Sequence, residues 1–451
     1  MAKIHFVGIG GSGMSALAQL HAMAGDTVSG SDRYLDGGNT ELGVWRKLKD
    51  LKITLLPQDG SGITPDLESA VFSSAIEKTN PDYKRCAELG IKMVHRSELL
   101  AAHAADFDTV AVAGTSGKST VTAMIFEILA AAGKDPSVIN GAPLLSLAAR
   151  GYYGNVYLGK SRLMVMEADE SDGTIVNYKP RRGLLLNMSR DHKAMSVIED
   201  YFRRFKANCG GFIVNADEAN LKGFFEGSLT FGFKNGKLRG MNLKTDGFGS
   251  TFTLDGVEFK IPVPGLYNAQ NALAAVAVCR SLDVSLEDCS AALAHFGGVY
   301  RRFNSMGSVA GVEVIDDFAH NPAKIAAALS AAKLRGKRVI AVYQPHGFAP
   351  VRMFKDELIE SFYSALGEND TVIFPEIYYA GGTTDKTISS DYLARGLAAK
   401  GRRAYFEPCK DKIPARVSSM AQSGDVVLVM GARDPNLPEF AKQILGTIKT
   451  K

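Results

Sequence analysis

The chain has 451 residues, too many for one ordinary hydrophobic core and enough for two to four domains. Its hydrophobic content of 46% and charged content of 22% are those of a soluble globular protein, and a net charge of +4 without a dense basic cluster excludes a nucleic-acid partner. No apolar run reaches the roughly 18 to 20 residues that span a bilayer, so no membrane partner is expected. The five cysteines (Cys86, Cys209, Cys279, Cys289, Cys409) form no metal-type pair. They predict reduced thiols, and with an N-terminus that enters a strand at once they point to the cytoplasm.

In chain order, Lys3 to Val7 is an apolar strand followed by Gly8-Ile9-Gly10-Gly11-Ser12-Gly13 and a helix through about Ala24. Gly8, Gly10 and Gly13 have the spacing of a diphosphate-binding βα turn: one glycine for the tight turn, one for close backbone approach, one for helix packing. A second strand, Thr27 to Ser31, ends at Asp32, the distance expected of a ribose-binding acid. Alone, this pattern suggests a nicotinamide dinucleotide, although the same turn holds other diphosphates. Ser73 and Ser74 close a strand over Ala70 to Phe72, at the carboxyl edge where such sheets bind ligands. The alanine-rich stretch from Ala101 to Asp108 reads as a linker.

Thr109 to Met124, TVAVAGTSGKSTVTAM, then reads as a buried strand, a glycine turn and the first turns of a helix. The turn Gly114-Thr115-Ser116-Gly117-Lys118-Ser119-Thr120 can aim backbone N–H groups, a helix N-terminus and one ammonium at a single point, which makes it a triphosphate loop. It is not a complete Walker pattern, because Val112 stands where the first glycine would be. Ser161 to Ala168 is a strand ending in Glu167-Ala168-Asp169-Glu170-Ser171-Asp172; acids there are placed for Mg²⁺, which takes hard oxygen ligands. Arg182 to Met188 is a further strand, ending near Asn187, Asp191 and His192, the histidine reading equally as ligand or loop residue. Residues Ser228 to Pro264 alternate in the manner of hairpins, a β-rich insertion, before an apolar helix over Asn268 to Leu282.

Phe296 to Phe303, FGGVYRRF, reads as a hinge into a third unit. Strands at about Val312 to Asp317, Arg338 to Gln344, Thr371 to Pro375, Arg403 to Phe406 and Val426 to Met430 alternate there with helices from about Pro322, Met353, Ser389, Ile413 and Asn436. This predicts a doubly wound sheet with Asp316, Asp317, His320, His346 and the Gly431-Ala432-Arg433-Asp434 turn at strand ends. The expected fold is α/β in three domains. Residues 1–106 form a Rossmann-like domain and 107–297 a central P-loop ATPase-type domain with the β-rich insertion; 298–451 form a doubly wound Rossmann-like C-terminal domain.

Two glycine-rich diphosphate loops followed by a third α/β unit resemble the Mur ligases of peptidoglycan assembly. The resemblance spans essentially the whole chain. It is carried by GIGGSGMSALA from Gly8, SSAIEKTNP from Ser73, GTSGKST, EADESDG from Glu167 and NMSRDH from Asn187. It continues in YNAQNALAA from Tyr267, GVYRRF from Gly298, DDFAHNP from Asp316 and VYQPH from Val342. The first and fourth of these look most like the member that joins L-alanine to UDP-N-acetylmuramate. A near neighbour, which attaches the recycled tripeptide L-alanyl-γ-D-glutamyl-meso-diaminopimelate to the same sugar nucleotide, shares the first and is the alternative.

The resemblance implies an ATP-dependent amide ligase. The lactyl carboxylate of the muramate takes the γ-phosphoryl group of ATP, and an amine then displaces phosphate from the acyl phosphate. Small-molecule substrates (the UDP-sugar with an amino acid or short peptide) and a monomer or homodimer follow. By position, Lys118 would hold the β/γ-phosphates, Ser119 and Glu167 one Mg²⁺, and His192 a second; Mn²⁺ could replace either. Gly114, Thr115, Ser116, Gly117 and Thr120 would complete the ATP loop, Asn268 and Asn271 would meet adenine, and Arg302 and Asp317 would act on ATP from the third domain. His320, Asn321 and His346 would face the incoming amine, while Gly8, Gly10, Gly11, Ser12, Gly13, Asp32, Ser73 and Ser74 would face the UDP-sugar. Lys206, fourteen residues after His192, would join the second Mg²⁺ only if carbamylated; a surface lysine is the simpler reading.

Departures from the family pattern are Ser116 in place of histidine, Lys193-Ala194-Met195 after His192, and Gly347 and Pro350 where arginines would grip the carboxylate of L-alanine. Neither of the last two can pair with a carboxylate. Arg352 or Arg433 would have to substitute, and the residues leave the acceptor open. A UDP-sugar sensor without turnover and a nicotinamide-dependent oxidoreductase using Asp32 are the alternatives from other functional classes.

Overall fold

A computed structural model describes residues 1–38, 43–189, 194–379 and 385–449. Three large sheets follow one another along the described chain, with a small one before the third. The first contains β1 (Lys3–Val7), β2 (Thr27–Ser31), β3 (Thr54–Leu56), β4 (Ser69–Phe72) and β5 (Met93–His95) in the order β3-β2-β1-β4-β5. All of its pairs are parallel. Strand β1 reads KIHFV with its last four residues buried, as a parallel sheet covered on both faces requires; within it the buried His5 bonds to Ser29. Because β1 lies between β2 and β4, the chain leaves its carboxyl end where the winding direction reverses, the place where such sheets open a crevice.

The second sheet contains β6 (Asp108–Ala113), β7 (Ser137–Ile139), β8 (Val156–Tyr157), β9 (Leu163–Glu167), β10 (Arg182–Leu185), β11 (Phe212–Asn215), β12 (Leu229–Gly232) and β13 (Leu238–Arg239). Their order is β13-β12-β11-β10-β6-β9-β7-β8, which puts β6 between β10 and β9. The carboxyl ends of these three strands therefore deliver Gly114, Glu167 and Asn187 to one edge. Strands β14 (Met241–Thr245), β15 (Ser250–Leu254) and β16 (Val257–Ile261) form a separate sheet. This shortens the expected β-rich insertion: β12 and β13 extend the central sheet, because Ile213, Val214 and Asn215 pair in parallel with Leu229, Thr230 and Phe231.

The third large sheet contains β17 (Asn304–Val309), β18 (Val312–Asp317), β19 (Arg338–Gln344), β20 (Thr371–Phe374), β21 (Arg403–Phe406) and β22 (Asp425–Gly431), in the order β17-β18-β22-β19-β20-β21. Only the β17–β18 pair is antiparallel; the register aligns Asp317 with Met430 and Gln344 with Gly431. The mixed α/β class expected from the alternation is the observed one.

By proximity the chain divides into two units. One holds Met1–Met241, Thr253–Phe259 and Gln270–Val299, and the other Asn242–Phe252, Lys260–Ala269 and the chain from Tyr300 onward. Within the first unit, one hydrophobic cluster runs from Ile4 and Phe6 in the first sheet to Met166, Phe202 and Phe224 around the second. Gln19 and Asn155, each about 1% exposed, cross the same seam: Gln19 Nε2 donates to Asn155 Oδ1 at 3.0 Å, and Asn155 Nδ2 donates to the Ser12 carbonyl at 3.2 Å. The expected linker is the second half of a helix, Arg96–Asp106, closed at its start by a reciprocal His95–Glu98 capping box and burying Leu100 and Ala104. Alanine is the best helix former, so an alanine-rich stretch with a cap upstream is helical rather than loose. Similarly, the helix expected from Met353 begins at Phe348: Gly347, at φ +70, turns the chain, and Pro350 falls in the first turn, where no N–H is needed.

Candidate active site

At the end of β1 the backbone must turn sharply, and Gly8 does so at φ +78, with its own N–H and that of Ile9 both donating to the Ser31 carbonyl. Gly10 is required by contact: a Cβ there would lie 2.3 Å from the Trp45 ring and 2.9 Å from Asp32 Oδ2. Asp32 accepts from Gly10 N and Tyr34 N, both at 2.9 Å. Its carboxylate thus holds the turn and caps the short helix after β2. Gly11 and Ser12 are exposed at the start of the next helix, and Ile76, just after Ser73 and Ser74, packs against Gly8. The structure therefore brings both expected segments to one edge. We expect Gly10→Ala to lower the melting temperature and red-shift the emission of Trp45, the only tryptophan of the chain; unchanged emission and stability would refute that packing.

Gly114 (φ +138) and Gly117 (φ +86) shape the second turn, and Gly117 caps a helix, Lys118–Ala131, that has no side-chain cap. Its first N–H groups are thus left to point into the turn, as anion sites at helix starts do. Asn187 clamps the loop: its Oδ1 accepts from Ser116 N at 2.9 Å and from Thr115 Oγ1 at 3.0 Å, while its Nδ2 donates to the Ser116 carbonyl at 3.0 Å. Asn271 stands against Gly117, where a Cβ would meet its Oδ1 at 2.6 Å. Asn268 Nδ2 donates to the Pro264 carbonyl at 2.8 Å.

The acidic run after β9 divides its work. Glu167 Oε2 accepts from Ser119 Oγ at 2.7 Å and from Gly141 N at 2.9 Å. Glu170 Oε2 instead accepts from Lys118 Nζ at 2.7 Å, with Asp169 Oδ1 at 3.6 Å and the Gly114 carbonyl at 2.8 Å completing the ammonium's surroundings. Burial pulls the Lys118 pKa down, but Glu170, Asp169 and Glu167 outweigh it, so the net shift is upward and the lysine stays charged. Asp172 reaches outward to Arg96 at 2.8 Å; Arg96 in turn lies over Gly13, whose Cβ would come within 2.7 Å of its Nη1. The acidic loop and the first glycine turn are thereby joined.

Among the described residues no cluster of three His, Cys, Asp or Glu could hold a metal by itself. The Ser119 hydroxyl and Glu167 carboxylate are hard oxygen donors 2.7 Å apart, a pair that fits Mg²⁺ sharing its shell with phosphate and water. His192 lies outside the described residues. Lys206 Nζ donates to the carbonyls of Phe224 (2.8 Å) and Glu226 (2.6 Å), contacts made by its N–H groups that the carboxylate end of a carbamate could not make.

In the second unit, the ends of β18, β19 and β22 collect another group. Asp317 is committed to backbone, accepting from Phe303 N and Ala319 N at 2.7 Å each. Arg301, at φ +58 and 8% exposed, places Nε 3.1 Å from Asp316 Oδ2 and donates from Nη2 to the Gly431 carbonyl at 2.8 Å. Arg302 stacks over Phe318 at 4.7 Å. His320 Nδ1 donates to the Phe318 carbonyl at 2.9 Å, and its ring meets His346 edge-on at 5.6 Å. Burial drops the His320 pKa to about 3, so this imidazole is neutral and offers Nε2 as an acceptor. Asn321 Oδ1 accepts from Lys324 N at 3.0 Å and caps the following helix, so its side chain serves the fold. Gly347 and Pro350 open their helix, Arg352 pairs with Asp385 at 2.9 Å, and Arg433 is exposed at φ +63.

Two nucleotide-type turns and a third sheet edge in one chain can be compared with known proteins. Three family descriptions match in order: "Mur ligase family, catalytic domain" over residues 3–108, "Mur ligase middle domain" over 112–279 and "Mur ligase, glutamate ligase domain" over 301–433. The UDP-N-acetylmuramate–L-alanine ligase of Bradyrhizobium diazoefficiens is 36% identical over 476 residues, covering 99% of this chain and 97% of that protein. The chain belongs to the Mur ligase family. A second relative of the same description, from Microcystis aeruginosa, is 33% identical over 467 residues, covering 97% and 95%. The crystal structure of the UDP-N-acetylmuramate–alanine ligase of Thermotoga maritima matches with a TM-score of 0.83 at 26% identity, covering 99% of both chains. A murein peptide ligase from Psychrobacter arcticus shares the fold, with a TM-score of 0.72 at 23% identity and 99% coverage of each chain.

For a Mur ligase of this sequence, the residues whose observed roles the motifs did not assign are those acting through others. Asn187, Glu170 and Arg301 hold, respectively, the phosphate loop, its lysine and the segment bearing Arg302. Their signal was positional only: each stands at or just after a strand end, or beside a residue already singled out.

Proposed function

We propose that the protein is an ATP-dependent ligase that forms an amide between L-alanine and the lactyl carboxylate of UDP-N-acetylmuramate, with ADP and phosphate as co-products. The observation that carries the ATP half is the turn at Gly114–Thr120, with Lys118 charged and Ser119 joined to Glu167. A ligase of the same fold from Thermotoga maritima has been solved with ADP. The acceptor half rests on the alanine ligases that match nearly the whole chain. Under this reading the carboxylate oxygen of the muramate attacks the γ-phosphorus, ADP leaves, and the amine attacks the acyl phosphate carbonyl as phosphate departs. Such a reaction needs alignment and charge neutralisation more than a protein nucleophile. Lys118 and the loop N–H groups supply charge stabilisation, and Ser119 and Glu167 would hold Mg²⁺, which neutralises phosphate charge when bound.

Arg302 and Asp317 are assigned to the nucleotide, His320 and His346 to the amine, and the Gly8 turn to the UDP-sugar. Since Gly347 and Pro350 carry no charge, the carboxylate of L-alanine needs another cation, and Arg433 is the candidate not already paired with Asp385. The domain limits proposed are 1–106, 107–297 and 298–451, and the enzyme is taken to work in the cytoplasm. A nicotinamide enzyme is disfavoured by Asp32, whose carboxylate serves Gly10 and Tyr34.

The test is to supply UDP-N-acetylmuramate, ATP and Mg²⁺ with L-alanine, other amino acids or the tripeptide, and to weigh the product. A mass increase for L-alanine alone supports the reading; one for the tripeptide alone replaces it with the recycling activity. We also expect Glu167→Gln to raise the Mg²⁺ concentration needed for half-maximal rate, read from a metal titration at saturating ATP; an unshifted titration removes Glu167 from the metal.

A further inference from the structure

Lys118 has three N–H bonds to place. One goes to the Gly114 carbonyl at 2.8 Å and one to Glu170 Oε2 at 2.7 Å; Asp169 stands at 3.6 Å on the remaining side. The Lys118 and Glu170 side chains are 11% and 8% exposed, so water does little to solvate either charge. Each satisfies the other. The Gly114 carbonyl belongs to a backbone fixed by the turn, whereas Glu170 follows a strand end and holds its place by a side chain. A phosphate approaching this ammonium therefore meets a carboxylate already occupying it, and two anions on one ammonium repel.

We propose that Glu170 is a positioning residue for Lys118 and an internal stand-in for nucleotide phosphate. It keeps the ammonium aimed at the turn and yields it when the phosphates bind. Glu167, three residues earlier, has the separate task of holding Ser119. The run after β9 thus provides one carboxylate for the hydroxyl and a second, displaceable one for the lysine. The inference rests on the reading of Gly114–Thr120 as the ATP loop. It adds that nucleotide affinity is set by competition with a residue of the enzyme itself.

The experiment is calorimetric titration of the full chain with MgADP, using wild type, Glu170→Gln, Glu170→Asp and Lys118→Met, with a thermal melt of each. Glutamine keeps the shape and one accepting oxygen but removes the competing charge. We expect Glu170→Gln to bind MgADP about fivefold or more tightly, the scale of a coupling between two ligands for one group. Its KM for ATP should fall without a rise in kcat, and its melting temperature should rise more on adding MgADP than that of wild type. Glu170→Asp, which retains the charge, should not show the tightening. Equal or weaker binding by Glu170→Gln, in a variant that melts cooperatively, overturns the proposal. If wild type and Lys118→Met both fail to bind MgADP, the ATP reading itself falls, an outcome separate from the failure of Glu170 as competitor.

Discussion

Replacing Lys118 by methionine should abolish ATP-dependent product formation, lowering kcat/KM by about 10² to 10³-fold or more, the loss seen when one preorganised charge stabiliser is removed. Three features of the lysine make the effect large. It opens the helix Lys118–Ala131, so the helix N-terminus and the ammonium act on the same point. Its charge is maintained despite burial by Glu170, Asp169 and Glu167. Its Nζ is tied to the Gly114 carbonyl, which limits where it can point. The substitution also strands Glu170 as a buried carboxylate, which destabilises the fold independently of catalysis. A double variant, Lys118→Met with Glu170→Gln, separates the two effects: melting temperature should recover while the rate does not. Initial-rate assays of phosphate release, run with the melts, decide the matter; wild-type turnover in Lys118→Met would end the ATP assignment.

Arg301→Met should destabilise the C-terminal unit by roughly 3 to 5 kcal/mol near pH 8, the range for breaking a buried ion pair from one side. The guanidinium touches the Asp316 carboxylate and the carbonyls of Gly431 and Asp434, so its removal leaves a wholly buried carboxylate and two carbonyls without this donor. The sign of the pH dependence follows from Asp316. Burial, partly offset by Arg301, raises its pKa from 3.8 to about 6. A folded-state pKa above the unfolded one means that the native state binds more protons between the two values. The stability it contributes is therefore complete below about pH 4 and is lost as pH rises through 6. Without Arg301 the carboxyl is protonated to still higher pH. The destabilisation by Arg301→Met should thus be small at pH 5 and large at pH 8, as measured by urea denaturation at the two values. An equal loss at both would show that packing, not charge, is what Arg301 supplies. Arg301→Lys, which keeps the charge without the fork, should recover part of the loss.

Much of the frame was legible because local chemistry dictates it. Buried parallel strands are predominantly apolar, so KIHFV, TVAVA and VVLVM announce themselves. Turns that need positive φ or close approach favour glycine, so Gly8, Gly114 and Gly117 mark both nucleotide-type turns. The boundaries that failed were those where a loop-like composition hid a regular element. Alanine-rich 101–106 is helical because His95 and Glu98 cap it, and Phe348 starts a helix because Gly347 and Pro350 suit a helix's first turn. Leu229–Gly232 is a strand as expected, but its pairing differed for another reason: hairpin and parallel pairing have the same alternation, and only the partner, β11, distinguishes them.

The sequence by itself determined the order of the elements, the two phosphate-type turns and the residue types available to them, because backbone conformation and hydrophobic periodicity are local properties. Tertiary structure alone decided how the polar groups pair. Glu167 and Glu170 are three residues apart in one acidic run, yet one serves Ser119 and the other Lys118. Asp32 and Asn321, which read as ligand contacts, hold Gly10 and a helix start. Arg301, to which the sequence assigned no role beyond the hinge stretch, is a buried cation that fastens three segments. The reason is physical: a buried charge or amide must find partners, and which partners lie within about 3 Å depends on strands brought together by sheet order, over separations that no local pattern encodes.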